Sequence, residues 1–357
     1  MIRQSLLSQA RWCAVRLCRA SLPASGIQAA GPFESRLETI ANWSDADDSV
    51  ELASHDEVQL ASLRSAVSSI ETCGCILGGG SDRLFGFIAP SDRAFADFIS
   101  PITNPLFFED PRTLSEIRPI FAQHYIPESN PVLLGGDAQY FAVQARVALT
   151  ERLSFIATKD GFIWLNSNNE PVIPDDEGWA DVAAGLKYNI IRNPSLPLVV
   201  SVGGTFEIPC GSGGVLQGTG DGEFHLFGTA GVGLTDRSHW LSATGFRLST
   251  DTSARSQMWY WSNHLDYEVF DTWYGLLELN WFHWMQSGDR LPVTFEGGDL
   301  FNLGSTGVAG NDIVTLGVGG KKRFGEMHEL GFGYEVPLTA RKDVLESRIY
   351  VDLILRY

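Results

Sequence analysis

From residue 112 to its last residue the chain is a run of strand-length segments in which apolar and polar residues alternate, and the connections between them alternate short and long. The clearest segments have one phase throughout. Ala180, Val182, Ala184, Leu186, Tyr188 and Ile190 alternate with Asp181, Ala183, Gly185, Lys187 and Asn189. Leu198, Val200, Val202, Phe206 and Ile208 oppose Ser201, Gly203, Thr205 and Glu207. The final strand places Ile349, Val351, Leu353, Leu355 and Tyr357 on one face and Arg348, Tyr350, Asp352 and Arg356 on the other, because successive strand side chains point to opposite sides.

Twelve strand cores follow from this pattern: 113–126, 139–150, 152–164, 179–191, 198–208, 223–234, 239–249, 257–269, 273–285, 312–322, 328–338 and 347–357. Short connections lie near residues 150–152, 192–196, 235–238, 270–272 and 323–326, and long ones span 127–137, 166–178, 209–222 and 286–311. A soluble sandwich has no reason to keep that alternation. A transmembrane barrel does: it has short turns on one side, long loops on the other, an even strand number and an aromatic girdle in which a terminal Tyr357 takes its place. The expected fold is therefore all-β, an up-and-down antiparallel transmembrane β-barrel of about twelve strands with an irregular N-terminal extension.

Composition agrees. The 357 residues include 37 Gly, 21 Phe, 10 Trp and 9 Tyr, which suits strands and turns. No apolar run reaches the roughly 18 residues of a transmembrane helix, and barrel strands need none. The formal charge of −17 excludes nucleic acid as a partner, since phosphate recognition needs a basic face. Outer-membrane lipid, a small-molecule solute and the barrel-assembly machinery, reached through the C-terminal strand, are the expected partners, and the cell outer membrane of a Gram-negative-type envelope the expected place.

Three parts are expected along the chain. Residues 1–30 read as an export signal, with Arg3 and Arg11 leading and Ala29 and Ala30 as small cleavage residues, although Arg16 and Arg19 interrupt the apolar stretch. Residues 31–111 form an irregular extension or plug-like segment: a helix over 55–69, a Gly78-Gly79-Gly80 break, and a proline-punctuated group (Phe95, Phe98, Ile99, Ile102, Leu106, Phe107, Phe108) that must lie against something larger. Residues 112–357 are the barrel.

If the apolar face meets lipid, the charges line the lumen, since a charge facing lipid at midplane costs about 2–4 kcal/mol. Glu207, Glu223, His225, Asp266, Glu278, Lys321 and Arg348 are the expected lumen-lining residues. Acidic groups outnumber basic ones on that face, which favours cations or neutral polar solutes, unless opposite charges pair across the lumen. Trp259, Trp261 and Tyr357 are assigned to the membrane interface, with stacking on a solute the alternative role for the opposite-facing Tyr260, Tyr274 and Trp284. A bore of this width stays open unless loops or the N-terminal segment enter it.

Chemistry has weak footholds. Gly218-Thr219-Gly220-Asp221-Gly222 precedes a strand rather than a helix and so is not a dinucleotide fingerprint. Cys73-Gly-Cys75 is too close for a zinc ligand pair, so neither metal nor cofactor is expected. Ser262, His264 and Asp266 share one strand face, the arrangement an outer-membrane lipid hydrolase would need, with the alternative a hydrogen-bonded lumen network.

The stretches Glu151-Arg-Leu-Ser-Phe-Ile-Ala-Thr-Lys-Asp-Gly161, Gly185-Leu-Lys-Tyr188, Phe206-Glu-Ile-Pro209 and Leu216-Gln-Gly-Thr-Gly-Asp-Gly-Glu-Phe224 resemble bacterial outer-membrane barrels grouped as MetA-pathway phenol-degradation, or transporter, proteins. The resemblance spans about residues 112–357. It implies a channel or uptake path for small solutes, hydrophobic or aromatic ones among them, with no catalytic residues to carry over. A closed structural or adhesion barrel is the remaining alternative.

Overall fold

In the computed structural model the described residues are 83–325 and 327–357. The export signal, the helix over 55–69, the triple-glycine break and Cys73 and Cys75 lie outside them. Fourteen ladder elements follow one another: β1 (Glu116–Tyr125), β2 (Gly136–Ala148), β3 (Leu153–Lys159), β4 (Phe162–Ser167), β5 (Asp176–Trp179), β6 (Val182–Asn193), β7 (Leu198–Ile208), β8 (Glu223–Thr235), β9 (Ser238–Ser249), β10 (Gln257–Phe270), β11 (Trp273–Gln286), β12 (Asp312–Phe324), β13 (His328–Pro337) and β14 (Ser347–Arg356). All pair antiparallel with their neighbours, and β1 closes the ring by pairing with both β2 and β14, Phe121 lying opposite Phe141 on one side and Val351 on the other.

The wall has twelve strands, because two of them are each made of two pieces. β3 and β4 both pair with β2, on successive stretches of it, and β5 and β6 continue one another against β4 and β3. The first break is at Asp160-Gly161. Gly161 has φ +106°, and a Cβ there would meet the Phe141 carbonyl oxygen at 2.2 Å. The Asp160 carboxylate accepts the Val143 N–H at 3.0 Å, which keeps the β2 backbone satisfied where the ladder is interrupted. The second break, at Ala180-Asp181, puts Ala180 inside although its alternation had assigned it to the outer face.

Short turns at one end and long loops at the other persist around the ring, with Asp236-Arg237 and Asp271-Thr272 both two-residue turns. The outer face carries Leu186, Val202, Leu277, Phe332 and Val351, each exposed by about 40–52%. Such a continuous apolar belt on a closed barrel is the surface of an outer-membrane-type barrel, where lipid takes the place of a core.

The first strand starts at Glu116 rather than at 113, because Arg112 to Ser115 belong to a different structure. Residues 89–115 form a strap inside the ring. It is tied at the short-turn end by the Ala89 pairing with Ala148, by Ser91 N–H donating to the Tyr357 carbonyl at 2.6 Å and by the Arg192–Asp92 pair at 2.7 Å. It climbs to an apex at Asn104–Phe107, where Asn104 takes φ +51°, a conformation asparagine tolerates better than most residues. The strap then returns to the same end and enters β1.

From the long-loop end, residues 287–311 fold inward around the buried Glu296, which accepts from Leu303 N at 2.9 Å, Ser305 N at 2.9 Å and Ser256 Oγ at 2.5 Å. Asp343 on the neighbouring long loop accepts from Glu296 N at 2.9 Å, and burial holds its carboxyl above the ordinary aspartate value. Phe295, Leu300, Phe301 and Leu303 of the inward loop join Phe95, Phe98, Ile102 and Phe107 of the strap and inward Leu241, Tyr260 and Phe282 in one hydrophobic cluster.

The two faces make a quantitative expectation. Val351→Arg, at the middle of β14 on the outer face, should destabilise the barrel in lipid vesicles by about 2–4 kcal/mol in urea unfolding. Little change there would mean that this face does not meet hydrocarbon.

Candidate functional site

The interior is polar at the wall and crowded at the centre. Every one of the seven expected lumen residues is buried on the inner face, and every one has a partner. Glu207 meets Lys159 at 3.0 Å and Arg255 at 2.7 Å. Glu223 is bonded to Arg247 Nε and lies 3.2 Å from Arg255. His225 Nε2 faces the Tyr260 hydroxyl at 2.9 Å. Asp266 sits between His239 Nδ1 at 2.7 Å and His264 Nε2 at 3.3 Å. Lys321 bridges Asp352 at 2.9 Å and Glu329 at 3.2 Å, and Arg348 holds Asp299 of the inward loop at 2.8 Å.

Glu278 differs in what it binds. It accepts from the strap's Ile102 N at 2.9 Å and Thr103 N at 2.6 Å, from the Thr103 hydroxyl, and faces His264 Nδ1 at 2.6 Å. The wall thus anchors the strap chiefly through its backbone. Six of the strap's carbonyls between 101 and 111 are met by side-chain donors from six strands: Arg118 to Pro101 (2.7 Å), Gln144 to Pro105 (2.8 Å), Tyr260 to Phe107 (2.7 Å), Thr229 to Glu109 (2.8 Å), Lys187 to Asp110 and Ser201 to Pro111 (both 2.5 Å). Three of these residues are prolines, which bring no N–H that would need a buried acceptor.

The strap also brings its own charges, which sequence reading missed. Glu109 is shared by Arg146 at 2.6 Å and Lys187 at 2.7 Å. Asp110 and Arg112 pair at 2.7 Å within the strap, and Arg146 reaches Glu116 at the root of β1 at 2.8 Å. The signal was present as Glu109, Asp110 and Arg112 embedded in an aromatic, proline-rich stretch. What it did not give was their partners, which come from strands far along the chain.

Ser262, His264 and Asp266 do share the inner face, and all three are fully buried. They do not assemble a nucleophile and base. The Ser262 hydroxyl accepts from Asn104 Nδ2 at 2.9 Å, and both ring nitrogens of His264 face carboxylates. A triad needs the base within hydrogen-bond reach of the hydroxyl. The hydrogen-bonded network is the arrangement found, and it leaves Asn104 Oδ1 and Asn280 Oδ1 without a hydrogen-bond partner.

On the outer face Trp261 and Tyr357 are exposed and Trp259 half-buried. The indole N–H groups of Trp259 and Trp261 donate to Thr244 and Ser242 of β9, each at 2.9 Å, and that of Trp281 to Asp312 at 2.7 Å. Each ring thus covers apolar wall while its one donor is satisfied by the next strand.

No protein-family profile matches the chain, and no curated protein matches it. Among solved structures it is similar to an outer membrane channel from Pseudomonas putida F1 (12% identity, 69% of this chain and 96% of that one, TM-score 0.49). It is also similar to the NanC porin (8% identity, 68% and 98%, TM-score 0.40) and to the CymD monoaromatic hydrocarbon channel (8%, 67% and 86%, TM-score 0.35). The twelve-strand architecture rests on the strand pairing itself.

Arg146→Met removes the cation shared by Glu109 and Glu116. Breaking a buried pair costs about 3–5 kcal/mol, and Lys187 and Arg356, which remain on the two carboxylates, should bring the loss toward the lower end. Adding Glu109→Gln should recover part of it in a double-mutant cycle by urea unfolding.

Proposed function

We propose that this chain is an outer-membrane channel for small solutes whose passage runs through the space now held by the strap. The observation that supports this most is the composition of the filling. The bore is occupied by two separable segments, the strap and the inward loop, joined to a charged wall through hydrogen bonds and ion pairs that water can replace. Deep in the bore, cavities of about 10 Å³ lie beside Phe107 and beside Asp299, and at the short-turn mouth a cleft of about 540 Å³ opens between Asp97 of the strap and Arg323 of the wall. With the strap and the inward loop packed together at the centre of the bore, transport on this reading requires the strap to move. The resemblance to MetA-pathway barrels extends the reading to hydrophobic or aromatic solutes. Glu207, Glu223, His225, Asp266, Glu278, Lys321 and Arg348 would then line the path, residues 89–115 act as its plug, and Trp259, Trp261 and Tyr357 sit at the membrane interface. The C-terminal strand would serve the assembly machinery.

A reversible lock tests the path. Asn104 Nδ2 and Ser262 Oγ are 2.9 Å apart, so Asn104→Cys with Ser262→Cys, in a background with the native cysteines replaced by Ser, should form a disulfide that pins the apex to β10. In planar bilayers the reduced protein is expected to show discrete conductance steps, and the oxidised one silence that reductant reverses. Folded, inserted protein that conducts in neither state would sink the channel reading, and equal conductance in both would move the path elsewhere. Glu207→Gln with Glu278→Gln should lower cation preference in an ion gradient; unchanged selectivity would show that the paired acids set no field.

A further inference from the structure

Three carboxylates and two imidazoles form one line between two points of the strap. Asp97, on the ascending limb, faces His239 Nε2 at 3.0 Å, and His239 Nδ1 faces Asp266 at 2.7 Å. Asp266 lies 3.3 Å from His264 Nε2, and His264 Nδ1 faces Glu278 at 2.6 Å. Glu278 returns the line to the strap by accepting the Ile102 and Thr103 N–H groups and the Thr103 hydroxyl. Asp97 is half-exposed in the cleft at the short-turn mouth, whereas His239, Asp266, His264 and Glu278 are buried. The line therefore starts at the mouth and ends beneath the strap's backbone.

Counting protons decides its state. A neutral imidazole has one N–H and one lone pair, whereas an imidazolium donates from both nitrogens. Each ring of the line has a carboxylate at both nitrogens, so only the imidazolium satisfies both sides. The proton has no place on Glu278, because four donors already converge on its two oxygens and a carboxylate offers about four lone-pair sites. Two other buried histidines supply the contrast. His124 has the Val344 carbonyl at Nε2 (2.7 Å) and accepts from Arg348 Nε at Nδ1 (2.9 Å), and His225 has the Tyr260 hydroxyl at Nε2 (2.9 Å). A neutral ring suffices in both. The surrounding ionisable groups have partners of their own. Arg112 of the strap is paired with Asp110, Glu268 of β10 with Arg237, and Lys321 of β12 with Glu329 and Asp352. Arg323 of β12 donates to the Ala96 carbonyl and covers the Tyr274 ring of β11, and Arg93 shares the mouth cleft with Asp97. Histidine is the one side chain among all of these that ordinarily changes charge near neutral pH.

We propose that this line is a proton-loaded latch, which holds the strap's ascending limb against β9, β10 and β11 while both rings are protonated and lets it go when they lose their protons. In the loaded state two imidazoliums offset three carboxylates. In the unloaded state nothing offsets them, and at each ring a lone pair faces a carboxylate, an arrangement that burial penalises. The latch's contribution is thus present while the rings are charged and is lost as pH rises through their titration. The proposal rests on the channel reading and gives that channel its regulation: opening is favoured by rising pH.

Nitrogen NMR of the histidine-labelled full-length protein at about pH 7 should show both nitrogens protonated in His239 and His264 and one in His124 and His225, with His239→Gln and His264→Gln assigning the signals. Raising the pH to about 9 should lower the protection of the Ile102 and Thr103 amides at least tenfold, after correction for the intrinsic exchange rate, while Val200 in β7 keeps its own. Conductance steps in bilayers should become more frequent over the same range. Asp266→Asn removes the anion between the rings, so strap release should come at least about one pH unit lower; a merely structural Asp266 would weaken protection equally at every pH. A neutral ring at His239 or His264 near pH 7 overturns the latch. So does protection at Ile102 and Thr103 that ignores pH, or that falls in step with Val200. Strap release without conductance at any pH would leave the latch standing and remove the channel reading, and conductance with pH-independent strap protection would do the reverse.

Discussion

The strap and the wall are joined by charges that neither could bury alone. Glu109 has Arg146 and Lys187 within 2.7 Å, and Arg356 of the last strand bonds Glu116, Glu329 and the strap's Ser100 hydroxyl. A twelve-strand wall encloses more volume than its inward side chains fill. With nothing inside, those side chains would be solvated in a wide bore. Filled with an apolar plug, they would be stranded without partners at a cost of several kcal/mol each. A plug that carries its own carboxylates, its own arginines and a row of backbone carbonyls satisfies the wall without being only a hydrophobic core.

That choice has an energetic side. Buried ion pairs are commonly no more stabilising than well-packed apolar contacts of the same volume, so a plug built only to stay would be better held by leucines. This one is mixed. Phe95, Phe98, Ile99, Ile102, Leu106, Phe107 and Phe108 join inward Leu241 and Tyr260 in one apolar cluster, while the carboxylates, the arginines and the backbone carbonyls of the strap make polar contacts that regain much of their energy from water on release. The balance favours a closed state that is ordered yet separable, and this agrees with the passage proposed for the lumen.

The wall was legible in the sequence and its contents were not. Period-two alternation is a local property, visible at Leu198 to Ile208, where expected and observed strands coincide. The apolar face could go nowhere but outward once the ring closed. Alternation failed where the backbone departs from the pleat, at Asp160-Gly161 and Ala180-Asp181, because a side chain or a neighbouring loop takes over a ladder bond there. Inward Ile354 and Leu241 also broke the simple rule of a polar inner face, for they pack against filling that no strand pattern announces. Pairings such as Glu116 with Arg356, the first and last strands of the ring, depend on closure and could not be read from spacing. The strap has no period at all. Its prolines and aromatics said that it needed a surface, and only the closed wall says which.

The strap's topology bears on how such a plug could leave. Both of its ends lie at the short-turn mouth: one pairs with Ala148 beside the first short turn, and the other runs directly into β1. The apex alone reaches the half of the lumen nearest the long loops, where Phe107 meets residues of β8, β9 and β10. A hairpin held in this way need not be threaded through the barrel to be withdrawn. Release at the apex frees the deepest contacts first, while the roots stay tethered for return. A segment crossing from one mouth to the other would have to lose every contact before any part of the bore cleared. Opening from the apex also couples the two fillings, since Arg247 touches both the Phe107 ring and the Gly298 and Phe301 carbonyls of the inward loop. A change at that arginine is felt by the strap below it and the loop above it, so that a disturbance there loosens both halves of the plug together.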